Sequence, residues 1–410
     1  MSTTSTPATP AEAQGNRSIG DAWAAFRART RGGDLGALPV IVGLAIIWTV
    51  FQVLNPTFLS APNLVNLALQ CAAIGTIALG VVLVLLLGQI DLSIGSIAGL
   101  AAAILAVGFT QLSWPLPVAI LAGLAVGALL GGLYAFLFTR FGVPTFVITL
   151  AGLLGVLGIQ LWVLGKLGSI NLPFDSWIVQ FAQQMFLPAW LSYVLVGVAG
   201  ASYIGSRMLS ARRREAAGLS STSATEIIIR GVLLVAALGF AAWYLHTSRG
   251  IGLMFLLFVV LVIVMDYVLR RTRFGRSIYA VGGNVEAARR AGIRVNRVYI
   301  SVFITATTLA ALGGLLAAGR LAAANQSSGG GDTNLTAIAA AVIGGTSLFG
   351  GRGSAWSALV GIVVIQSIAS GLTLLSLDSS VRYMITGAVL LLAVIIDSLS
   401  RRSRALHGRA

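Results

Sequence analysis

Long apolar runs follow one another from residue 38 to residue 396, separated by short polar stretches. A helix needs ~20 such residues to cross the hydrocarbon of a bilayer. Twelve runs of roughly that length are legible, at 38–54, 64–87, 92–110, 116–139, 145–164, 187–205, 227–245, 251–269, 298–318, 335–349, 355–375 and 381–396. They do not alternate polar with apolar residues, as the ~10-residue strands of a membrane barrel do. The expected fold is therefore an all-α polytopic membrane protein of about twelve transmembrane helices, with glycine-broken segments among them. Only 10% of the residues are charged, where a soluble domain carries about 25%.

The formal charge of +15 raises the question of nucleic acid, and its placement answers it. With the N-terminus inside, four of the 27 Arg and Lys (Lys166, Arg249, Arg320 and Arg382) fall in outer segments, and the rest are cytoplasmic. That asymmetry is how basic residues orient membrane helices, so the expected partner is membrane lipid and not nucleic acid. Both termini are placed in the cytoplasm. Residues 1–36 are expected to be a disordered tail, in which Ile19, Trp23 and Phe26 stand at helical spacing as a short interfacial helix. Residues 37–399 form the membrane domain, and 400–410 a second tail.

Several chemistries are disfavoured. The one cysteine, Cys71, lies in an apolar run, and neither His246 nor His407 has metal-ligating neighbours, so no metal site is expected. Lys166, the sole lysine, is followed by leucine, so the chain lacks the phosphate loop of an ATPase. No cofactor is expected, and no catalytic constellation supports an enzyme. Trp48, Trp114, Trp162, Trp177, Trp190 and Trp243 fall near span ends or in loops, where interfacial anchoring accounts for them.

The longest polar stretch between two spans is 270–297, RRTRFGRSIYAVGGNVEAARRAGIRVNR. Asn284 is suited to cap a helix beginning at Val285. Glu286 falls in its first turn and Arg289 and Arg290 in its last, all favourable for the helix dipole. Gly292 supplies the left-handed residue that stops it. A second Glu-Ala-Ala, at 215–217, is followed at once by Gly218, and 207–226 is read as a solvated basic loop.

Two glycine-rich breaks interrupt apolar runs. One is GQIDLSIGS at 88–96, the other GGTSLFGGRGS at 344–354. A carboxylate such as Asp91 near membrane depth is costly and marks a functional candidate, although it also suits an N-cap for a helix starting at Leu92. Paired broken segments point to a translocation site. The candidate path residues are Gln89, Asp91, Ser93, Thr346 and Ser347. The polar loop 325–334 is either a connector or a contact for a delivery protein.

The run 286–292, EAAxxxG, resembles the signature of the permease subunits of ATP-binding-cassette importers. In that family the short helix couples the membrane subunit to a cytoplasmic ATPase. By this resemblance Gly283, Asn284, Glu286, Ala287, Ala288, Arg289 and Gly292 are the ATPase-coupling residues. The order and spacing of GQIDLSIGS, of RFGRSIYAVGGNVEAARRAGI at 273–293 and of AIAAAVIGGTSLFGG at 337–351 look like the ribose/xylose branch of these permeases. The extra apolar pair at 187–245 looks like an insertion found in the xylose type. The resemblance implies a homodimer of permease chains in the bacterial inner membrane. It also implies a separate ATPase that binds the ATP, an extracytoplasmic sugar-binding protein, and a monosaccharide, xylose or another pentose, as cargo.

One motif departs from that pattern. Where the branch usually has ELDAIAA, residues 334–340 read NLTAIAA, so Asn334 and Thr336 replace two acids. Importers of signalling sugars, nucleosides or branched-chain amino acids belong to the same family. An ion-coupled transporter would carry more intramembrane carboxylates than Asp91 and Asp266.

Overall fold

The structure is a computed structural model that describes residues 38–219 and 221–381, together with 383–385, 387, 388, 391 and 395. Fourteen α-helices are present among them: α1 (Leu38–Leu54), α2 (Ala61–Leu86), α3 (Ile94–Ala106), α4 (Leu116–Phe141), α5 (Thr145–Leu164), α6 (Trp177–Gln183), α7 (Ala189–Ala216), α8 (Ala224–His246), α9 (Leu253–Arg271), α10 (Arg273–Gly283), α11 (Val285–Arg290), α12 (Val295–Leu321), α13 (Gly331–Ile343) and α14 (Trp356–Leu374). Helix α3 runs on into a π-turn at Val107–Gln111. Nine helices of the described residues are long and apolar enough to cross a membrane, and α1 and α13 contribute shorter apolar stretches.

These helices form a polytopic all-α protein, as expected, but the count of twelve spans is not reproduced. The tenth run was expected to extend over 335–349. Its helix α13 stops at Ile343, because Gly344 and Gly345 follow and Gly345 takes φ +100°. At 1.5 Å per residue its 13 residues reach about 20 Å, short of a full crossing. Most of the twelfth run, 381–396, lies outside the described residues, as do the tails at 1–36 and 400–410. The basic loop expected at 207–226 is also corrected. Helix α7 continues to Ala216 and ends against Gly218, φ +68°, since Arg, Leu, Ala and Glu are strong helix formers.

The centre of the molecule is α12, which packs on α2, α3 and α4. Small residues make this possible. A Cβ at Gly314 would collide with the carbonyl of Ala98, and one at Gly127 would lie 2.7 Å from the carbonyl oxygen of Thr307. Close backbone approach of this kind replaces the hydrophobic drive that lipid does not supply between helices. Helix α2 is buried over most of its length, whereas α4, α5 and α9 expose apolar side chains such as Leu129, Leu154 and Ile263. Helices α7 and α8 form a peripheral hairpin, joined where His246 Nε2 and Ser192 Oγ lie 2.9 Å apart. A two-stranded antiparallel ribbon, β1 (Ser169–Asn171) with β2 (Ala323–Asn325), ties the loop after α5 to the loop after α12, with Ile170 opposite Ala324.

Candidate functional site

Between α9 and α12 the chain forms two short helices. Thr272 caps α10, its hydroxyl accepting from the Gly275 amide at 3.1 Å. Asn284 then takes an extended conformation, and its Oδ1 accepts from the Ala287 amide at 2.9 Å to start α11. At the other end Gly292 is left-handed, φ +80°. Its amide donates to the Arg289 carbonyl (3.0 Å), and the Ile293 amide donates to the Ala288 carbonyl (3.1 Å). This pair of bonds is the Schellman termination. Ala288 is buried against the protein, while Gly283, Asn284, Glu286, Ala287, Arg289 and Gly292 are exposed. The Glu286–Arg289 pair, 2.8 Å apart, is too exposed to add much stability. It gives α11 a mixed-charge outer face.

The first break begins at Gly88, φ +71°. Gln89 Oε1 accepts from the Thr145 hydroxyl (2.6 Å). Asp91 is not the cap of a helix starting at Leu92. Helix α3 starts at Ile94, and Asp91 Oδ1 accepts from the Ser93 amide (2.8 Å) and hydroxyl (2.7 Å). That local turn delays the helix, because an aspartate competes well for amides two residues on. Asp91 Oδ2 is buried with no hydrogen-bond partner among the described residues, and the Tyr134 phenol lies near Asp91 and Ser93.

In the second break Ser347 donates its amide to the Arg352 carbonyl (2.9 Å), and its hydroxyl accepts from the Phe349 amide (3.2 Å). Thr346 Oγ1 is buried and has no hydrogen-bond partner among the described residues. The two breaks do meet, but through glycine backbone. The Gly351 amide donates to the Leu86 carbonyl at 2.9 Å. A Cβ at Gly350 would sit 2.6 Å from the Gly282 carbonyl oxygen and 2.8 Å from the Gly88 amide nitrogen. The α10–α11 loop joins at the same point. A Cβ at Gly282 would collide with the Leu86 carbonyl, and the Tyr279 hydroxyl donates to the Gly353 carbonyl at 2.9 Å. Burial holds that phenol above its usual pKa, so it keeps its proton. No hydrogen bond joins Asp91 or Ser93 to Thr346 or Ser347.

Sequence reasoning missed a third element. The polar loop after α12 is not a free connector: Gln160 Nε2 donates to the carbonyls of Asn325 (3.2 Å) and Ser328 (2.9 Å). It closes over a cavity lined by Gln70, Arg320 and Gln366 among others, and by none of the five candidate path residues. The sequence signal was three glutamines, Gln70, Gln160 and Gln366, inside apolar runs.

A family model described as "Branched-chain amino acid transport system / permease component" matches residues 63–394. The chain belongs to that permease family. It is 36% identical over 363 residues to the xylose transport system permease protein of Escherichia coli K12, covering 88% of this chain and 90% of that one. The Haemophilus influenzae xylose permease is 32% identical, over 88% and 96% of the two chains. The ribose import permease protein of Bacillus subtilis is 31% identical, over 89% and 94%. These relatives bear out the resemblance to the ribose/xylose branch, and all are transport permease subunits. No solved structure matches the chain.

Proposed function

We propose that this chain is the membrane subunit of an ATP-driven importer that carries a monosaccharide, xylose or another pentose, across the bacterial inner membrane. The observation that carries the reading is α11, a helix with a defined start and stop. It is exposed on its outer face and joined through Gly282 to both broken segments. A docked ATPase pushing on α11 thereby acts on the backbone of both breaks at once. The ATP is bound by that separate ATPase, so this chain needs no cofactor and is not itself an enzyme. The working unit is two permease chains with the ATPase and a sugar-binding protein outside. Both termini of the chain are cytoplasmic.

Reconstitution tests this. Xylose uptake into proteoliposomes is expected to require ATP, the ATPase and the binding protein, and to survive collapse of the proton gradient. Uptake by this chain alone, driven by an ion gradient, would make it a secondary transporter.

A further inference from the structure

At the end of α12 remote from α11, helices α2, α3, α12, α13 and α14 and the loop 322–330 surround a cavity of about 360 Å³. Its nearest residue on α12 is Gly314, 19 residues beyond Val295 and so about 29 Å up the helix. Small-molecule sites span roughly 300–1,000 Å³, so the cavity has room for one small solute.

Its lining holds unmet hydrogen-bonding capacity. Gln366 is 6% exposed, yet its side-chain amide makes no hydrogen bond among the described residues. The side chains of Gln70 and Arg320 make none either, and no carboxylate pairs with Arg320 among the described residues. Gln366 is buried and Gln70 and Arg320 are half-buried. Polar groups withdrawn from water are normally satisfied, so three such donors facing one space suit a partner with hydroxyls. Acceptors are present as well, in the Asp332 carboxylate and the Ser327 hydroxyl. One guanidinium and one carboxylate leave the lining formally neutral, which favours an uncharged solute over an anion. No aromatic ring lines the space, so it offers no stacking platform for a flat base. Towards the coupling end the wall is Ala73, Ile77, Ala98 and Gly314. There α12 and α3 touch backbone to backbone and close the cavity off.

We propose that this cavity is a transit site for one neutral pentose within each chain. Arg320, Gln70 and Gln366 donate to its hydroxyls, and Asp332 and Ser327 accept from them. The assignment rests on the importer reading above and adds to it a place and a set of specificity-determining residues.

The test uses the complete reconstituted importer carrying Ser327→Cys in a Cys71→Ala background, with a membrane-impermeant thiosulfonate applied from outside. Millimolar xylose is expected to slow labelling of the new cysteine, and leucine is not. Gln366→Leu and Arg320→Gln are expected to remove this protection and to lower xylose uptake about tenfold, as loss of one buried hydrogen bond to a ligand does. Co-purification with the ATPase shows that these variants are folded. Undiminished xylose uptake in both variants, or no protection in an importer that takes up xylose, overturns the cavity assignment and leaves the importer reading standing. Protection by leucine and not by xylose overturns the pentose assignment. Failure of the unsubstituted importer to take up any pentose overturns both.

Discussion

Asn334 on α13 donates its side-chain amide to the carbonyl of Leu92, at 2.5 Å and across 242 residues of sequence. The bond fixes the upper end of the first break to the half-length helix that leads into the second. It also gives a meaning to a departure from the branch pattern. An ionised acid at this position has no hydrogen to offer the carbonyl.

Asn334→Asp is therefore expected to place a carboxylate against a buried carbonyl and to lower both uptake and the unfolding temperature. Asn334→Ala loses the bond alone, which costs about 1–3 kcal/mol when a buried acceptor is left unsatisfied. Thermal unfolding in detergent orders the two, with the aspartate variant the less stable. Equal stability of wild type and both variants would falsify the bridging role.

Coupling is read at α11. Gly292→Pro removes the amide that bonds the Arg289 carbonyl and forbids the positive φ. Glu286→Lys puts a cation in the opening turn and breaks the pair with Arg289. Both are expected to abolish substrate-stimulated ATP hydrolysis while the chain stays in the membrane. Normal hydrolysis and uptake in the two variants would remove α11 from the coupling site. Asn284→Ala, which loses only a cap worth about 0.5–2 kcal/mol, should reduce the coupling without abolishing it.

The glycine junction gives a third prediction. Gly282→Ala sets a methyl group against the Leu86 carbonyl, and backbone cannot move aside as a side chain can. Gly155 on α5 has open space where a Cβ would go, so Gly155→Ala is the control. Uptake should fall in the first and hold in the second. Equal uptake by both variants would mean that the close contact at Gly282 does not transmit motion.

At Asp91 the geometry sets the order of two substitutions. Its Oδ1 accepts from the Ser93 amide and hydroxyl, and an asparagine oxygen can do the same. Asp91→Asn is expected to retain uptake and Asp91→Ala to lose it, because the turn that starts α3 goes with the acceptor. Loss in both variants, with ATPase docking intact, would assign the role to the charge. Full uptake in both would place Asp91 off the path.

The sequence by itself determined the elements whose causes are local. The runs at 38–54 and 145–164 have the same bounds as α1 and α5, because apolar length and the prolines and glycines at their ends act within a few residues. Asn284 and Gly292 mark the start and stop of α11 because a cap and a Schellman turn involve only chain neighbours. The helix class and the permease family followed from features of the same kind. Where local chemistry competed with itself the reading slipped: Asp91 turned the chain before α3 could begin, and charged helix formers carried α7 past the expected span end.

Only the tertiary structure decided what those elements bring together. Gly88, Gly282 and Gly350 read alike in sequence, as hinges or as stops. They are a single contact point because three backbones need the space that a side chain would fill. Gln70, Arg320 and Gln366 lie on three helices far apart in the chain, and nothing in the spacing of one reveals the others. Their common cavity exists because Gly314 lets α12 close on α3 while the loop after α12, held by Gln160, folds back over the top. Contacts across hundreds of residues depend on how helices pack, and that packing is set by the whole chain at once.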